Sequence, residues 1–427
     1  MVRQCSAELD ELITLNPACS TGMKKYRKSA LLICIGSIFL LLLAQMFGPR
    51  KVLSLWAVPH MTPSFADLRS ITHGADSYSM GLDPRYENPC DPWERKLNYP
   101  QAWMLLYKLG LNSTHTFALG VFIIACFVGS TIFVLPNASN RLLLLFGIAF
   151  FSPVTMLTIE RGNNDMLMFA LVVAAVLASR RSQIASEGIL FTSFALKYYP
   201  ILGWAFFLKN KVSPFLFRTS IAVGLSVVYL FFKKEELSLI NANTQRGPYY
   251  SYGLKVFPMK MEELRPLFAE FVQVASFFIV LLCILLPVLY CLKSKRFRRL
   301  DVQEDCVDFF RAGSAIYIGT FIIGHSFDYR MIFLLLTLPQ LLSWSSSKPP
   351  LISAISKITI VSILISLWHQ YTFVYVRSIP KVGGYIELLV DDASDWTAFA
   401  GLCILFIASL PQHVWDKLSF ATTQPRL

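Results

Sequence analysis

The chain has 427 residues, 55% of them hydrophobic, 14% aromatic and only 15% charged, with a mean hydropathy of +0.52. Soluble domains carry about 25% charged residues, so this composition excludes an ordinary soluble globular protein and points to a single integral membrane domain over 1–427. The net charge of +12 sits in short Lys/Arg clusters between apolar runs, which is how cytoplasmic loops of membrane proteins are marked, and not in a nucleic-acid-binding face.

A polar tail, 1–28, ends in the cluster Lys24, Lys25, Arg27 and Lys28 and precedes the first apolar run. That run, 29–48, suits an uncleaved first span, because a bilayer core needs about 20 apolar residues. Further runs follow near 115–135, 141–158, 164–179, 188–208, 213–232, 270–292, 308–324, 330–345, 351–374 and 397–411. The expected fold is therefore all-α, a polytopic bundle of about 10–12 transmembrane spans. The nine cysteines show no paired or metal-ligand spacing, and only Cys90 falls in a large outer loop, so no disulfide framework is expected.

Orientation follows from the basic loops. With 1–28 cytoplasmic, loop 49–114 lies outside and Arg180–Arg181 inside. The cluster Lys293–Arg299 comes out inside only if 188–208 enters and returns instead of crossing. Pro200 breaks helix there, so a re-entrant or broken helix is expected at Tyr198-Tyr199-Pro200. Loop 49–114, Glu160–Asp165, Lys197, loop 233–269 and His325–Arg330 then share the extracytoplasmic face.

Within the first outer loop, Phe65, Leu68, Ile71 and Ala75 recur at helical spacing, which predicts an amphipathic interfacial helix over 63–80. Asp67 lies beside that stripe and could simply favour a helix N-terminus. A second short helix, 100–110, is rich in Trp and Tyr. At 158–169, TIERGNNDMLMF packs Glu160, Arg161, Asn163, Asn164 and Asp165 between two apolar runs. One of the last three could cap the following helix, while the fork of Arg161 suits a phosphate or carboxylate. Lys197, in SFALKYYPILGW, must snorkel, pair or bind an anion. The motif GHSFDYR at 324–330 opens another helix, where Arg330 could pair with Asp328 or Glu160. Loop 233–269 mixes Arg246, Lys255 and Lys260 with Tyr249, Tyr250 and Tyr252. Loop 376–396, carrying Arg377, Lys381, Glu387, Asp391, Asp392 and Asp395, could touch an acceptor or be solvated.

The order of these motifs resembles glycosyltransferase family 87, the polyprenyl-phosphate-mannose-dependent mannosyltransferases of the C-type membrane glycosyltransferase superfamily. The resemblance covers most of 30–345. It rests on Asp67, the turn Gly81-Leu82-Asp83-Pro84, Tyr99-Pro100, Arg161-Gly162-Asn163, the Lys197-x-x-Pro200 spacing and Phe327-Asp328-Tyr329-Arg330. In the family, the lysine is often followed by a small or polar residue where this chain has Tyr198. The resemblance implies a C-type helical fold with an extracytoplasmic cavity, in a multi-pass protein of a bacterial plasma membrane. It also implies inverting transfer of a sugar, mannose by analogy, from a polyprenyl-phosphate donor to a glycolipid or glycan acceptor. Asp67 matches the general base. Arg161, Lys197, Arg330 and His325 become candidates for the donor phosphate, and Asn163, Asn164, Tyr329, Asp328 and Tyr99 for substrate positioning. Asp76 and Asp83 are the next candidate bases. No metal or other cofactor is called for. A lipid-linked sugar flippase or transporter is the alternative, although the sequence shows no internal repeat.

Overall fold

The structure is a computed structural model that describes residues 17–294, 300, 304–347 and 349–423. Most of the basic cluster 293–299 and the beginning of the tail, 1–16, lie outside the described residues. Apart from the two-residue strands β1 (Ser251–Tyr252) and β2 (Ser326–Phe327), the described regular structure is helical. In chain order the helices are α1 (Pro17–Phe47), α2 (Pro49–Leu55), α3 (Ala66–Ser79), α4 (Thr116–Val134), α5 (Asn140–Phe150), α6 (Pro153–Glu160), α7 (Asp165–Ala178) and α8 (Gln183–Leu196). After the 3₁₀ run Tyr199–Lys209 come α9 (Val212–Phe232), α10 (Lys234–Asn243), α11 (Val256–Leu264), α12 (Pro266–Lys293) and α13 (Glu304–Ile323). A second 3₁₀ run, Asp328–Leu336, leads into α14 (Leu338–Trp344), α15 (Pro350–Trp368), α16 (Gly383–Ala408) and α17 (Gln412–Thr423).

Among the described residues, six helices are long and apolar enough to cross a membrane: Lys25–Phe47, Ser113–Val134, Val212–Phe232, Pro266–Lys293, Cys306–Ile323 and Pro350–Trp368. Their exposure matches a lipid solvent. Leu267, Phe232, Met46 and Phe271 are largely bare on the outside, while Glu160, Asn163, Asp328, Gln340 and Asp391 are buried within. A soluble protein has the opposite distribution. The other predicted runs are built from shorter pieces. Run 141–158 is α5 and α6, bent by 52°. The Ser152 hydroxyl caps the Thr155 N–H and Pro153 opens the new helix, a start signal that interrupts the first helix. Run 397–411 is the second half of α16. The predicted loop 376–396 contains the first half of that helix, with Glu387, Asp391, Asp392 and Asp395 buried instead of solvated.

The segment 188–208 breaks at Lys197 and turns back. The Ser186 hydroxyl donates to the Ala175 carbonyl, so α8 runs antiparallel to α7 and brings Lys197 to Asp165 at the start of α7. Pro200 cannot donate a backbone hydrogen bond, and the chain re-forms as a 3₁₀ run. That run returns Lys209 to the far end of α7, with its ammonium 2.9 Å from Ser179 Oγ and 2.5 Å from Asp308. A 3₁₀ helix rises about 2 Å per residue against 1.5 Å for α. Eleven residues therefore retrace what α8 covers in fourteen.

Loop 49–114 is tied to the bundle. The apolar stripe of α3 (Leu68, Ile71, Ala75) is wholly buried against protein, so this helix does not lie with that stripe in lipid. Segment 101–109 does expose apolar side chains, Leu105, Tyr107 and Leu109, as do Leu55 and Met80 elsewhere in the loop. Glu236 on α10 fastens the loop from the other side. It is 3% exposed and accepts from the Gln101 N–H and the Tyr198 hydroxyl, with Lys233 at 3.1 Å and Arg85 at 3.8 Å.

Candidate active site

The site begins with a backbone clamp. The Phe65 N–H donates to the Glu160 carbonyl (3.0 Å) and the Asp67 N–H to the Arg161 carbonyl (2.9 Å). These bonds lay the start of α3 across the turn Arg161-Gly162-Asn163. Gly162 has φ +58°, and a Cβ there would stand 2.9 Å from Phe65 Cβ. Both the conformation and the close approach require glycine. It lets the two motifs approach closely, although 96 residues separate Asp67 from Asn163.

Asn163 then does two things. Its Oδ1 accepts the Asp165 N–H (2.9 Å), capping α7, and its Nδ2 donates to Asp67 Oδ2 (2.7 Å). The carboxylate of Asp67 is thus held by a side chain of another element and does not cap its own helix. It keeps 17% of its surface exposed, enough for a substrate hydroxyl to reach it. Burial pushes the Asp67 carboxyl above its ordinary range. The Asn163 hydrogen bond and the charges of Arg161, Arg95 and Lys197 act against that rise.

Around Asp67 the charges pair off. Arg95 gives close bonds to Asp91 (2.9 and 3.1 Å) and to the Ala66 carbonyl (2.6 Å), leaving Asp67 3.9 Å away. Arg161 pairs with Glu160, whose other oxygen accepts the Met61 N–H (2.7 Å) and faces His60. Lys197 pairs with Asp165 and donates to Asn164 Oδ1 (2.6 Å), so it neither snorkels nor stands free. The Tyr199 hydroxyl also donates to Asp165 (2.7 Å), and Tyr99 lies with its ring 5.3 Å from the Lys197 ammonium. Among the described residues, Asp67 is left without a close opposite charge, and so are Arg330 and, in the cavity that Arg330 lines, Arg246 and Lys255. The guanidinium of Arg330 donates to Ser326 Oγ (2.8 Å) and lies 4.7 Å from the Tyr199 ring. It meets neither Asp328 nor Glu160.

Arg330 reaches this position because Asp328–Leu336 is 3₁₀-helical. With three residues per turn, successive side chains point about 120° apart. Asp328 accordingly turns away from Asp67, fully buried with His369 Nε2 3.2 Å from its Oδ2. Its placement as a positioning residue in the Asp67 pocket is corrected by this geometry. Tyr329 lies near the Arg161 guanidinium. Arg330 lines a cavity of about 640 Å³ with Tyr198, Arg246, Lys255 and His325. His325 is held by the Gly247 carbonyl (2.9 Å), and burial pushes its imidazole below the ordinary value, so it brings a hydrogen-bonding group and no charge. The carboxylates Glu262 and Glu270 and the apolar Leu237, Ile240, Met259 and Ile323 line the same cavity.

Asp76 accepts the Ser113 N–H and Asp83 is fastened to Arg85, so neither competes with Asp67. Arg95 and Tyr199 belong to the site and were missed. The i, i+4 spacing of Asp91 and Arg95 was the available signal for the first. Beyond Asp328 lies a second ionic group. Lys260 is 2.5 Å from Asp391, 3.0 Å from Asp392 and 3.1 Å from Glu387, and His369 Nδ1 is 3.7 Å from Asp391.

Compared with known proteins, the chain matches no protein family, no curated protein and no solved structure.

Proposed function

We propose that this protein is a membrane glycosyltransferase. It moves a sugar, mannose by the motif resemblance, from a polyprenyl-phosphate donor to a hydroxyl of a glycolipid or glycan acceptor at the extracytoplasmic face. The observation that carries the reading is the pairing pattern. Three ion pairs (Arg95–Asp91, Arg161–Glu160 and Lys197–Asp165) lock a frame that leaves a reachable carboxylate, Asp67, and a guanidinium without an acid, Arg330. Displacement at an anomeric carbon needs one group of each kind. Asp67 takes the acceptor hydroxyl proton as its oxygen bonds to the anomeric carbon. The bond from that carbon to the phosphate oxygen breaks on the opposite face, inverting the configuration, and its electron pair leaves on polyprenyl phosphate. Arg330, with His325, Arg246 and Lys255 in the same cavity, stabilises that charge through hydrogen bonds to phosphate oxygens. The apolar part of the wall suits the first isoprenes of the lipid.

The test is transfer by the purified protein in lipid nanodiscs, from a polyprenyl-phosphate sugar to endogenous glycolipid extract, followed by mass spectrometry. A glycosylated product that disappears with Asp67→Asn is expected. Near-normal turnover of that variant would exclude Asp67 as the base.

A transporter reading has one observation in its favour, the buried group of Lys260, His369, Asp328 and Asp391, since charges within membrane proteins commonly mark transport paths. Labelled donor that changes leaflet without any covalent product would favour it.

A further inference from the structure

A second cavity, of about 330 Å³, opens between the end of α11 and the turn that precedes α16. It is separate from the Arg330 cavity and unused by the chemistry above. Its polar lining includes Tyr249, Lys260, Arg377, Lys381, Tyr385 and Glu387, three cations against one carboxylate. That carboxylate is already spoken for, because Glu387 faces Lys260 at 3.1 Å and both are buried. The two remaining cations are not neutralised. Arg377 is near enough to Glu387 to feel its charge, and its ion pair is with the half-exposed Glu263, at 3.4 Å, a contact worth little at such exposure. Its Nη1 is buried with no hydrogen-bond partner, although guanidinium groups rarely leave a buried donor unused. Lys381 has no acidic partner among the described residues and is held in the left-handed region, at φ +67°. Non-glycine residues in that region cluster at ligand clamps. The turn closes tightly, since a Cβ on Gly383 would stand 2.2 Å from the Val376 carbonyl. Arg377 and Lys381 are thereby fixed on one rim.

The cavity also adjoins the Asp67 site. Its wall residue Tyr249 lies under the Arg377 guanidinium, 3.5 Å from the ring centre. The next residue, Tyr250, packs with Tyr329 against Met156 and Leu157. We propose that this cavity is a second binding subsite, for the phosphate ester of a lipid headgroup, and that the lipid held there presents the acceptor hydroxyl to Asp67. The word acceptor rests on the glycosyl-transfer reading; the phosphate subsite does not. A guanidinium fork and an ammonium on one rim suit a phosphate monoester or diester. The tyrosine walls suit the polyol attached to it.

Binding tests this without any turnover. Protein in nanodiscs containing equal phosphatidylglycerol and uncharged galactosyl diacylglycerol is released and its retained lipid read by native mass spectrometry. The expected result is at least tenfold preferential retention of phosphatidylglycerol, reduced about tenfold in the double variant Arg377→Gln/Lys381→Gln. Millimolar inorganic phosphate should displace the lipid. Binding of inorganic phosphate without lipid retention would keep the phosphate subsite and assign it to a water-soluble ester, overturning the lipid. Equal retention of both lipids with no phosphate binding, or retention unchanged in the double variant, would overturn the subsite. Asp67→Asn should bind phosphatidylglycerol as the parent does. If that variant also transferred sugar normally, the transfer reading would fail while the binding result stood.

Discussion

Two ionic clusters flank Tyr329, and they use the same side chains to different ends. On the Asp67 side, three cations pair with three carboxylates, and the pairing leaves Asp67 over together with Arg330, Arg246 and Lys255. On the Asp328 side, five buried carboxylates (Asp328, Glu387, Asp391, Asp392 and Asp395) surround one ammonium, Lys260, and one imidazole, His369. Both of these cations are taken up within the group. Such a group can hold α11, α16 and the end of α15 together, but it has no charge to offer an anionic ligand. A charged cluster in a membrane protein therefore declares its role through its surplus. A cluster that leaves a base and a cation free is equipped for chemistry on a phosphate ester, and one that consumes its cations serves as a tie.

The comparison is broken most directly by Asp67→Asn. Removing a general base costs about 10²–10⁴ in rate, with lipid binding and folding retained, as read by product formation and melting temperature. Loss of both would make Asp67 a structural residue like those of the other cluster. Next in size is Lys260→Met. Stranding one partner of a buried ion pair costs about 3–5 kcal/mol, so a large fall in thermal stability is expected. Adding Asp391→Asn should restore part of it, because the double change removes charge of both signs. Gly162→Ala comes third. A left-handed alanine pressed against Phe65 costs about 1–2 kcal/mol, and because the clamp carries Asp67, activity should fall further than stability.

The smallest effect sharpens the Asp67 side alone. Burial raises its pKa, and only the carboxylate form can accept a proton. Transfer should therefore fall as pH drops through a range above that of an ordinary carboxylate. Arg95 opposes the rise, so Arg95→Gln should move this acid limb to higher pH. An unmoved limb would mean that another group sets it.

Much of this was legible along the chain. The membrane class, the break near Pro200 and the grouping of Asp67, Arg161, Asn163 and Lys197 followed from apolar run lengths, proline chemistry and motif order. Charge misled at α16. Glu387, Asp391 and Asp395 recur at i, i+4 and i+8, one face of a helix, yet their number suggested a solvated loop, because their counter-ion Lys260 lies 131 residues before Asp391. Asp328 was assigned to the wrong neighbours for a related reason. Whether a segment is α or 3₁₀ sets where each side chain points, and local propensity does not decide that for a buried apolar run.

By itself, then, the order of residues determined the solvent of this protein and the inventory of its site, since hydropathy and residue type are local properties. The tertiary structure decided which charges neutralise one another and which remain for a ligand. That outcome depends on contacts such as the Phe65–Glu160 and Asp67–Arg161 backbone bonds. Those contacts exist only once α3 has been brought against a turn nearly one hundred residues away, and no local pattern encodes which partner each cation will meet there.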